Sequence, residues 1–307
     1  MKVWTNKVNE SWILDRVVQE WNENNSDIST NSIKESDIVW ISSNWTWEKI
    51  PKKYLSSKKV ICSVYHIDFD KFDKKQEKNF NKLDKYVDQY HVISLKTKKQ
   101  LATLSDKKIT SIPFWINQDN WFYIEDKKQL RRELNFQDDD YLVGSFQRDT
   151  EGSDLSSPKL IKGPDIFIDI IKKIKKDKPK LKIVLTGTRR QYVINKLNEA
   201  KIPFYYVEMA DIRLVNKLYN ILDLYLVTSR VEGGPQAILE CAVTKTPILS
   251  TDVGVASEIL DQKSIFKPEQ FENASINVNY AFKNSQDYTI PTGMIKFRRM
   301  FEDIYES

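Results

Sequence analysis

The stretch Val227–Ile259 decides the fold and reads VTSRVEGGPQAILECAVTKTPILSTDVGVASEI. It begins at the end of an apolar run typical of a buried strand and then enters a helical pattern through a loop with two glycines. Pro235 stands where its fixed φ suits the first turn of that helix. A second apolar strand is predicted at Pro247–Ser250. This order predicts two parallel strands joined by a right-handed crossover.

The same alternation extends along the whole chain. Further strands are predicted at Lys2–Thr5, Asp37–Ser42, Lys59–Tyr65, Tyr90–Ser94, Ile109–Phe114, Tyr141–Phe146, Lys182–Thr186, Phe204–Val207 and Leu224–Thr228. Helices are predicted at Pro164–Lys175, Gln191–Ala200, Leu214–Leu222 and Pro235–Val243, and a first-domain helix carries Trp12, Ile13, Val17 and Trp21 on one face. We predict an α/β protein of two doubly wound, Rossmann-like domains with parallel sheets. Ligands of such sheets bind beyond the carboxyl ends of the strands.

Composition narrows the class of protein. The 307 residues suffice for two domains, and the 48 Lys and Arg against 43 Asp and Glu give a net charge of +5. That charge is too small and too dispersed to indicate a nucleic-acid partner. Cys62 and Cys241 share no ligand spacing, so neither a disulfide framework nor a zinc site is predicted. With no leader or membrane-spanning segment evident, we predict a cytoplasmic protein and leave a peripheral membrane contact open.

The loop before Pro235 predicts an anion site. Gly233 and Gly234 allow the backbone to approach a ligand closely. The helix that follows presents N–H groups with no partner inside the helix, and a phosphate is their natural occupant. The amides concerned are those of Gln236, Ala237 and Ile238.

Two acidic residues flank this predicted phosphate site. Glu232 lies on the loop and Glu240 lies a little over one helical turn into the helix. Carboxylates repel phosphate, but an ionised carboxylate is a good acceptor for hydroxyl groups. We therefore predict that both acids bind hydroxyls of a sugar or a ribose.

These residues carry a family resemblance. The segment EGGPQAILE, from Glu232 to Glu240, resembles the signature of retaining GT-B glycosyltransferases of the "group 1" type, glycosyltransferase family 4. The following TKTPILSTDVG resembles that family's next strand and loop, except that Thr244 and Lys245 stand where a glycine is common. The resemblance implies a GT-B fold of two Rossmann-like domains facing a cleft. It places an acceptor-side domain at residues 1–120 and a donor-binding domain at 121–291, with the helix 292–307 packing back on the first domain.

The resemblance extends upstream of the signature. The segments from Leu142 to Arg148 and from Ile161 to Asp165 resemble the family's first donor-domain strand and its "K-G" turn. There an arginine and a lysine hold the nucleoside diphosphate, and Arg148 and Lys162 are the matching positions. Two cations facing a helix N-terminus would stabilise a leaving diphosphate. Because the segment between them is longer than usual, Lys159 stays open as a substitute for Arg148.

Further site residues follow from the resemblance alone. It implies that Gly187 lies near the diphosphate, Met209 near the nucleobase and Ser229 near the nucleotide. Ser63–Asp68 resembles the family's strand ending in histidine, which implies that His66 contacts the donor sugar.

No metal ion or other cofactor is predicted. Asp68-Phe69-Asp70 has the D-x-D spacing of metal-dependent transferases, and Asp138–Asp140 is a run of carboxylates. Both are interpreted as turn and linker charges. With Arg148 and Lys162 present, the leaving group needs no divalent cation.

The resemblance implies a metal-independent hexosyl transfer, with retention, from a nucleoside diphosphate sugar to an unidentified glycan, lipid or small-molecule acceptor. Glu232, His66, Lys162 and Arg148 would form the catalytic set, and Glu240 would bind the ribose. Two alternatives stay open. One is a non-catalytic nucleotide-sugar-binding protein, because the glycine-rich loop expected after the first strand is missing. The other is a different GT-B enzyme, such as a nucleotide-sugar epimerase.

Overall fold

Apolar strands alternate with amphipathic helices throughout the computed structural model, which describes residues 1–7 and 13–307. The predicted helix positions Trp12 and the side chain of Ile13 lie outside the described residues. The chain forms two units, Met1–Trp115 together with Tyr288–Ser307, and Ile116–Asp287. Each unit has a parallel sheet and an apolar core of its own.

The first unit contains five parallel strands that pair in sequence order. They are β1 (Val3–Thr5), β2 (Ile38–Ile41), β3 (Lys59–Val64), β4 (Gln89–Val92) and β5 (Lys108–Ser111). The helices between them are α1 (Ile13–Asn24), α2 (Lys52–Leu55), α3 (Lys74–Asp84) and α4 (Leu95–Leu101). The central strands are buried on both faces, as expected for a parallel sheet covered by helices.

The second unit contains a six-stranded parallel sheet and a two-stranded hairpin. The strands are β6 (Tyr141–Ser145), β7 (Thr150–Glu151), β8 (Ser157–Pro158), β9 (Leu181–Thr186), β10 (Phe204–Val207), β11 (Leu224–Val227), β12 (Ile248–Thr251) and β13 (Ile265–Phe266). The helices are α5 (Lys127–Glu133), α6 (Pro164–Asp177), α7 (Gln191–Glu199), α8 (Ile212–Ile221), α9 (Gln236–Val243), α10 (Ala256–Ile259) and α11 (Val278–Ser285). An apolar stripe of α6, including Phe167, Ile170 and Ile171, packs into the core against Ile183 and Leu226.

The last helix, α12 (Thr292–Glu306), packs in the core of the first unit. Its buried face carries Phe297 and Phe301, whose rings contact those of Trp21 and Trp40. The core of the first unit is therefore built from both ends of the sequence. Within residues 1–7 and 13–307, no helix combines the length and the apolar character that crossing a membrane requires.

Candidate active site

The strand order of the second unit places a crevice at the end of β6 and β11. The order is β10-β9-β6-β11-β12-β13, so the chain proceeds to one side of the sheet after β6 and to the other side after β11. β6 and β11 are neighbours, with Val143 beside Leu224. Such a reversal is the place where open parallel sheets bind their ligands, beyond the carboxyl ends of the strands. The fold therefore predicts a ligand site at the loops that follow β6 and β11.

These loops bring Lys162 and Glu232 together. Lys162 ends the short helical turn before α6, and its Nζ donates to Glu232 Oε1. The Ser229 hydroxyl, just beyond β11, lies within hydrogen-bond distance of Glu232 Oε1 (3.2 Å) and of Gln147 Oε1 (3.0 Å). Gln147 Nε2 in turn donates to the carbonyl oxygen of Lys162 (2.8 Å). The predicted cation and acid thus form an ion pair that a polar network holds in place.

Three cations gather at this point. Arg148 follows Gln147 and donates through Nε to the carbonyl oxygen of Thr150 (3.2 Å). Burial lowers the pKa of the half-buried Lys159, and the positive charges of Arg148 and Lys162 lower it further, while Glu151 and Glu232 raise it. Like charges held close together favour an anionic ligand between them. The structure therefore brings the charges of Arg148 and Lys162 close to Lys159.

The helix after the loop begins one residue later than predicted. Pro235 is the residue before the helix, and α9 begins at Gln236. The Ile238 amide donates to the carbonyl oxygen of Pro235 (3.0 Å), so the prediction of an open amide there was wrong. The amides of Gln236 and Ala237 lie in the first turn, where N–H groups have no partner within the helix. Gln236 Oε1 is buried and accepts no hydrogen bond from any residue that the structure describes.

Glycines allow two close backbone approaches at the site. Gly163 has φ +61°, and a Cβ there would lie 1.8 Å from the carbonyl oxygen of Thr228. Gly254 has φ +51°, and a Cβ there would lie 2.5 Å from the carbonyl oxygen of Gly233. The backbone of Gly233 and Gly234 thus packs directly against Gly254, a contact that the sequence pattern does not predict.

Glu240 is buried on α9 and faces a tyrosine. Its Oε2 accepts a hydrogen bond from the Tyr219 hydroxyl (2.7 Å), and the side chain is only 8% exposed. Burial and the charge of Glu240 raise the pKa of Tyr219 well above its usual value, so the phenol keeps its proton. A carboxylate can accept about four hydrogen bonds. The bond from Tyr219 therefore holds one oxygen of the Glu240 carboxylate in place.

The remaining predicted residues lie at strand ends. Gly187 follows β9 with φ +89°, and its carbonyl oxygen accepts from the Tyr206 hydroxyl (3.0 Å). Met209 follows β10 and is 78% exposed. In the first unit, His66 is exposed and lies two residues beyond β3.

The carboxylates of Asp139 and Asp140 lie at the opposite end of the second unit's sheet from this network. Asp139 pairs with Lys180, and Asp140 pairs with Lys182 (2.7 Å), at the amino ends of β6 and β9. Among residues 1–7 and 13–307, no group of three or more His, Cys, Asp or Glu side chains is arranged to hold a metal ion.

Residues 155–292 match the family model described as Glycosyl transferases group 1, which covers less than half of the chain. A comparison with curated protein sequences gives no match. The match places a group 1 glycosyltransferase domain on the unit that carries the Lys162–Glu232 pair.

Solved structures resemble the chain over nearly its whole length. Anabaena HepE in complex with UDP-glucose is 13% identical with a TM-score of 0.76, and the alignment covers 98% of this chain and 99% of that one. Sucrose-phosphate synthase from Thermosynechococcus elongatus is 11% identical with a TM-score of 0.71, covering 98% and 81%. S. aureus TarM, in a complex that includes UDP, is 14% identical with a TM-score of 0.62, covering 96% and 59%.

At these identities the likeness concerns the fold, and the fold is that of the GT-B glycosyltransferases. The comparisons thus give the chain a GT-B fold, with a match to the group 1 glycosyltransferase family over residues 155–292.

Proposed function

We propose that the protein is a retaining, metal-independent glycosyltransferase that moves a hexosyl group from a nucleoside diphosphate sugar to an acceptor hydroxyl. The observation that carries this proposal is the group of Arg148, Lys159 and Lys162 beside Glu232, at the strand reversal of a group 1 domain. UDP-sugars are the first donors to test, since HepE was solved with UDP-glucose.

The negative charge of the donor's diphosphate would account for the three neighbouring cations. A diphosphate bound here would meet the three cations and the first-turn amides of α9, which stabilise negative charge as the leaving group departs. Three cations supply the charge that a divalent metal would otherwise bring. Lys162 would exchange its ion pair with Glu232 for a phosphate oxygen. Glu232 would then be released to accept hydrogen bonds from the sugar, while Glu240 binds the ribose hydroxyls.

Retention follows if both bonds change on one face of the sugar. The bond from the anomeric carbon to the phosphate oxygen breaks, and a bond to the acceptor oxygen forms on the same face. The acceptor proton passes to the departing phosphate oxygen, so no protein nucleophile is needed. Catalysis then rests on positioning and on charge stabilisation. A contact of His66 with the transferred sugar stays a prediction, as does the cytoplasmic location.

Donor binding is the first test. A thermal-shift screen of UDP-, GDP- and ADP-sugars should raise the unfolding midpoint for one base, because a ligand at 100 times its Kd stabilises the folded state by about 2.7 kcal/mol. Failure of every nucleoside diphosphate and nucleotide sugar to bind would refute the proposed function.

Site variants then test transfer. We expect Glu232→Ala and Lys162→Ala each to lower kcat by about 100-fold or more while leaving the unfolding midpoint close to that of the wild type. Lys196 and Glu199 form an exposed ion pair on α7 and serve as the matched control. Near-normal turnover in either site variant would contradict these roles. Donor binding without transfer to a broad acceptor panel would favour the non-catalytic alternative, and conversion of the donor to an isomer would favour an epimerase.

A further inference from the structure

The segment between β6 and α6 folds into a hairpin whose base carries two of the three cations. β7 and β8 pair antiparallel, with Thr150 beside Pro158. Immediately below this pair, the Lys159 amide donates to the carbonyl oxygen of Asp149 (2.8 Å). The Lys162 amide donates to the carbonyl oxygen of Lys159 (2.8 Å). The backbone positions of Lys159 and Lys162 therefore both depend on Asp149, which directly follows Arg148.

Asp149 is held by a buried arginine. Asp149 is 2% exposed and Arg190 is fully buried, and Arg190 Nε donates to Asp149 Oδ2 (2.5 Å). Arg190 Nη1 donates to the carbonyl oxygens of Ser145 (2.5 Å) and Thr186 (2.7 Å), the last residues of β6 and β9. One guanidinium thus joins the hairpin to the carboxyl ends of two neighbouring strands.

The hairpin also joins the start of α7. The Thr150 hydroxyl donates to Asp149 Oδ1 (2.7 Å) and accepts from the Tyr192 amide (2.9 Å). The amides of Asp149 and Thr150 both donate to the carbonyl oxygen of Arg189, at 3.2 and 3.1 Å. These hydrogen bonds fix the base of the hairpin to the sheet and to the start of α7.

We propose that Arg190 and Asp149 are positioning residues that fix Arg148 and Lys159 for binding the diphosphate. This inference rests on the proposed function. The charges of the buried pair compensate each other, so its effect on a phosphate comes through the geometry it imposes. Long cationic side chains bind phosphate well only when the backbone beneath them is fixed, because otherwise ordering them reduces the affinity.

The test must separate positioning from simple loss of fold. Removing one partner would leave a buried charge unpaired, which is strongly destabilising. The double variant Asp149→Asn/Arg190→Gln leaves neither charge and retains hydrogen-bonding groups. The matched control is Asp223→Asn/Arg131→Gln. It neutralises a second ion pair of the same unit, Arg131 Nη2 to Asp223 Oδ2 (2.6 Å), at the amino ends of β6 and β11. Lys127 also pairs with Asp223 (2.9 Å), but it is partly exposed, so the variant leaves its charge in contact with water.

Calorimetric titration with UDP, GDP and ADP identifies the diphosphate that binds the wild type, and its parent nucleoside is then titrated as well. We expect the Asp149→Asn/Arg190→Gln variant to lose at least 10-fold in diphosphate affinity and to keep its nucleoside affinity. The control variant should keep both. In turnover assays, KM for the donor should rise more than kcat falls.

Other outcomes overturn the inference. Wild-type diphosphate affinity in the variant would refute it, and so would equal losses for nucleoside and diphosphate, which indicate a structural role alone. If the double variant does not fold, Thr150→Val removes only the hydroxyl's two bonds and should show a smaller loss confined to the diphosphate; unchanged affinity there counts against the inference. If the wild type binds no diphosphate, the proposed function fails together with it.

Discussion

Gly163 lies where a side chain would collide with the end of β11. Its φ of +61° alone disfavours other residues, and a Cβ would lie 1.8 Å from a backbone oxygen that cannot move aside cheaply. The left-handed backbone costs about 1 kcal/mol for alanine, and overpacking adds about 1–3 kcal/mol. We expect Gly163→Ala to lower the free energy of unfolding by about 3 kcal/mol and to weaken donor binding, as measured by urea unfolding and titration.

Gly152 provides the control for that prediction. It has φ +82° in the exposed hairpin turn, and the nearest atom to a Cβ is the flexible carboxylate of Asp154. Gly152→Ala should therefore lower the free energy of unfolding by only about 1 kcal/mol, which is the contribution of the left-handed backbone. Equal costs at the two positions would mean that the contact with Thr228 contributes nothing.

His91 makes the stability of the first unit depend on pH. Its ring is buried between the Ser63 hydroxyl and the carbonyl oxygen of Ile112, both at 2.8 Å, and burial lowers its pKa from 6.5 to about 4. Below pH 6.5 the unfolded chain binds a proton at His91 that the folded chain does not, so stability falls as the pH falls. Relative to neutral pH, the free energy of unfolding falls by about 3 kcal/mol near pH 4, because each pH unit below 6.5 removes about 1.4 kcal/mol.

Urea unfolding between pH 7 and pH 4 measures this dependence. Carboxylates also titrate in the range, so the comparison is with His91→Gln, which retains polar groups but has no imidazole. The variant should be less stable at pH 7 and should lose less stability on acidification. A wild type and a variant with parallel pH profiles would exclude His91 as the source.

Helix α12 contributes the centre of an aromatic cluster. The Phe297 ring lies 4.9 Å from the ring of His91, 5.1 Å from that of Trp115 and 5.8 Å from those of Trp40 and Phe114. We expect Phe297→Ala to lower the free energy of unfolding by about 3–5 kcal/mol, the usual cost of emptying such a site. Ile295 is exposed on the same helix, and Ile295→Ala should change the free energy of unfolding by less than about 0.5 kcal/mol.

Most elements could be predicted from the sequence because strands of a covered parallel sheet are apolar runs. β10 was predicted at its observed bounds, and β6 and β11 within one residue. The hairpin of β7 and β8 was missed because its two-residue strands contain no apolar run. It depends on contacts with Arg189 and Arg190, about 40 positions away along the chain, which no local pattern reveals.

The residues of the candidate site also differ in whether a local sequence pattern reveals them. Glu232 and Lys162 could be singled out because they belong to a motif with fixed spacing. Arg190 could not, because an arginine at the start of a helix resembles any surface charge until the fold buries it. Lys245 illustrates a third case. It has φ +55° where the family commonly has glycine, and its ammonium lies over the rings of Tyr123 and Phe282, contacts that the sequence alone does not reveal.

At the scale of the whole molecule, the chain completes its first unit with its last helix. Of the seven tryptophans within residues 1–7 and 13–307, six belong to the first unit and Trp121 lies in the second. A chain that ends at Asp287 lacks α12 and would expose the rings of Trp21, Trp40 and Trp115 to water. We expect its tryptophan emission to shift to the red, towards that of the unfolded protein.

A chain that ends at Ile304 is the control, because it removes only the exposed residues 305–307. Its emission should match that of the full chain. Native-like emission from the chain ending at Asp287 would show that the first unit folds without α12.

The discontinuous first unit also has a consequence for biosynthesis. A nascent chain leaves the ribosome from its amino end, and domains generally fold as units during synthesis. All residues of the second unit are translated before Phe297 and Phe301, the partners of Trp21 and Trp40 on α12. The part of the protein that is translated first is therefore the part that matures last, and its aromatic surface stays available to chaperones until α12 has emerged.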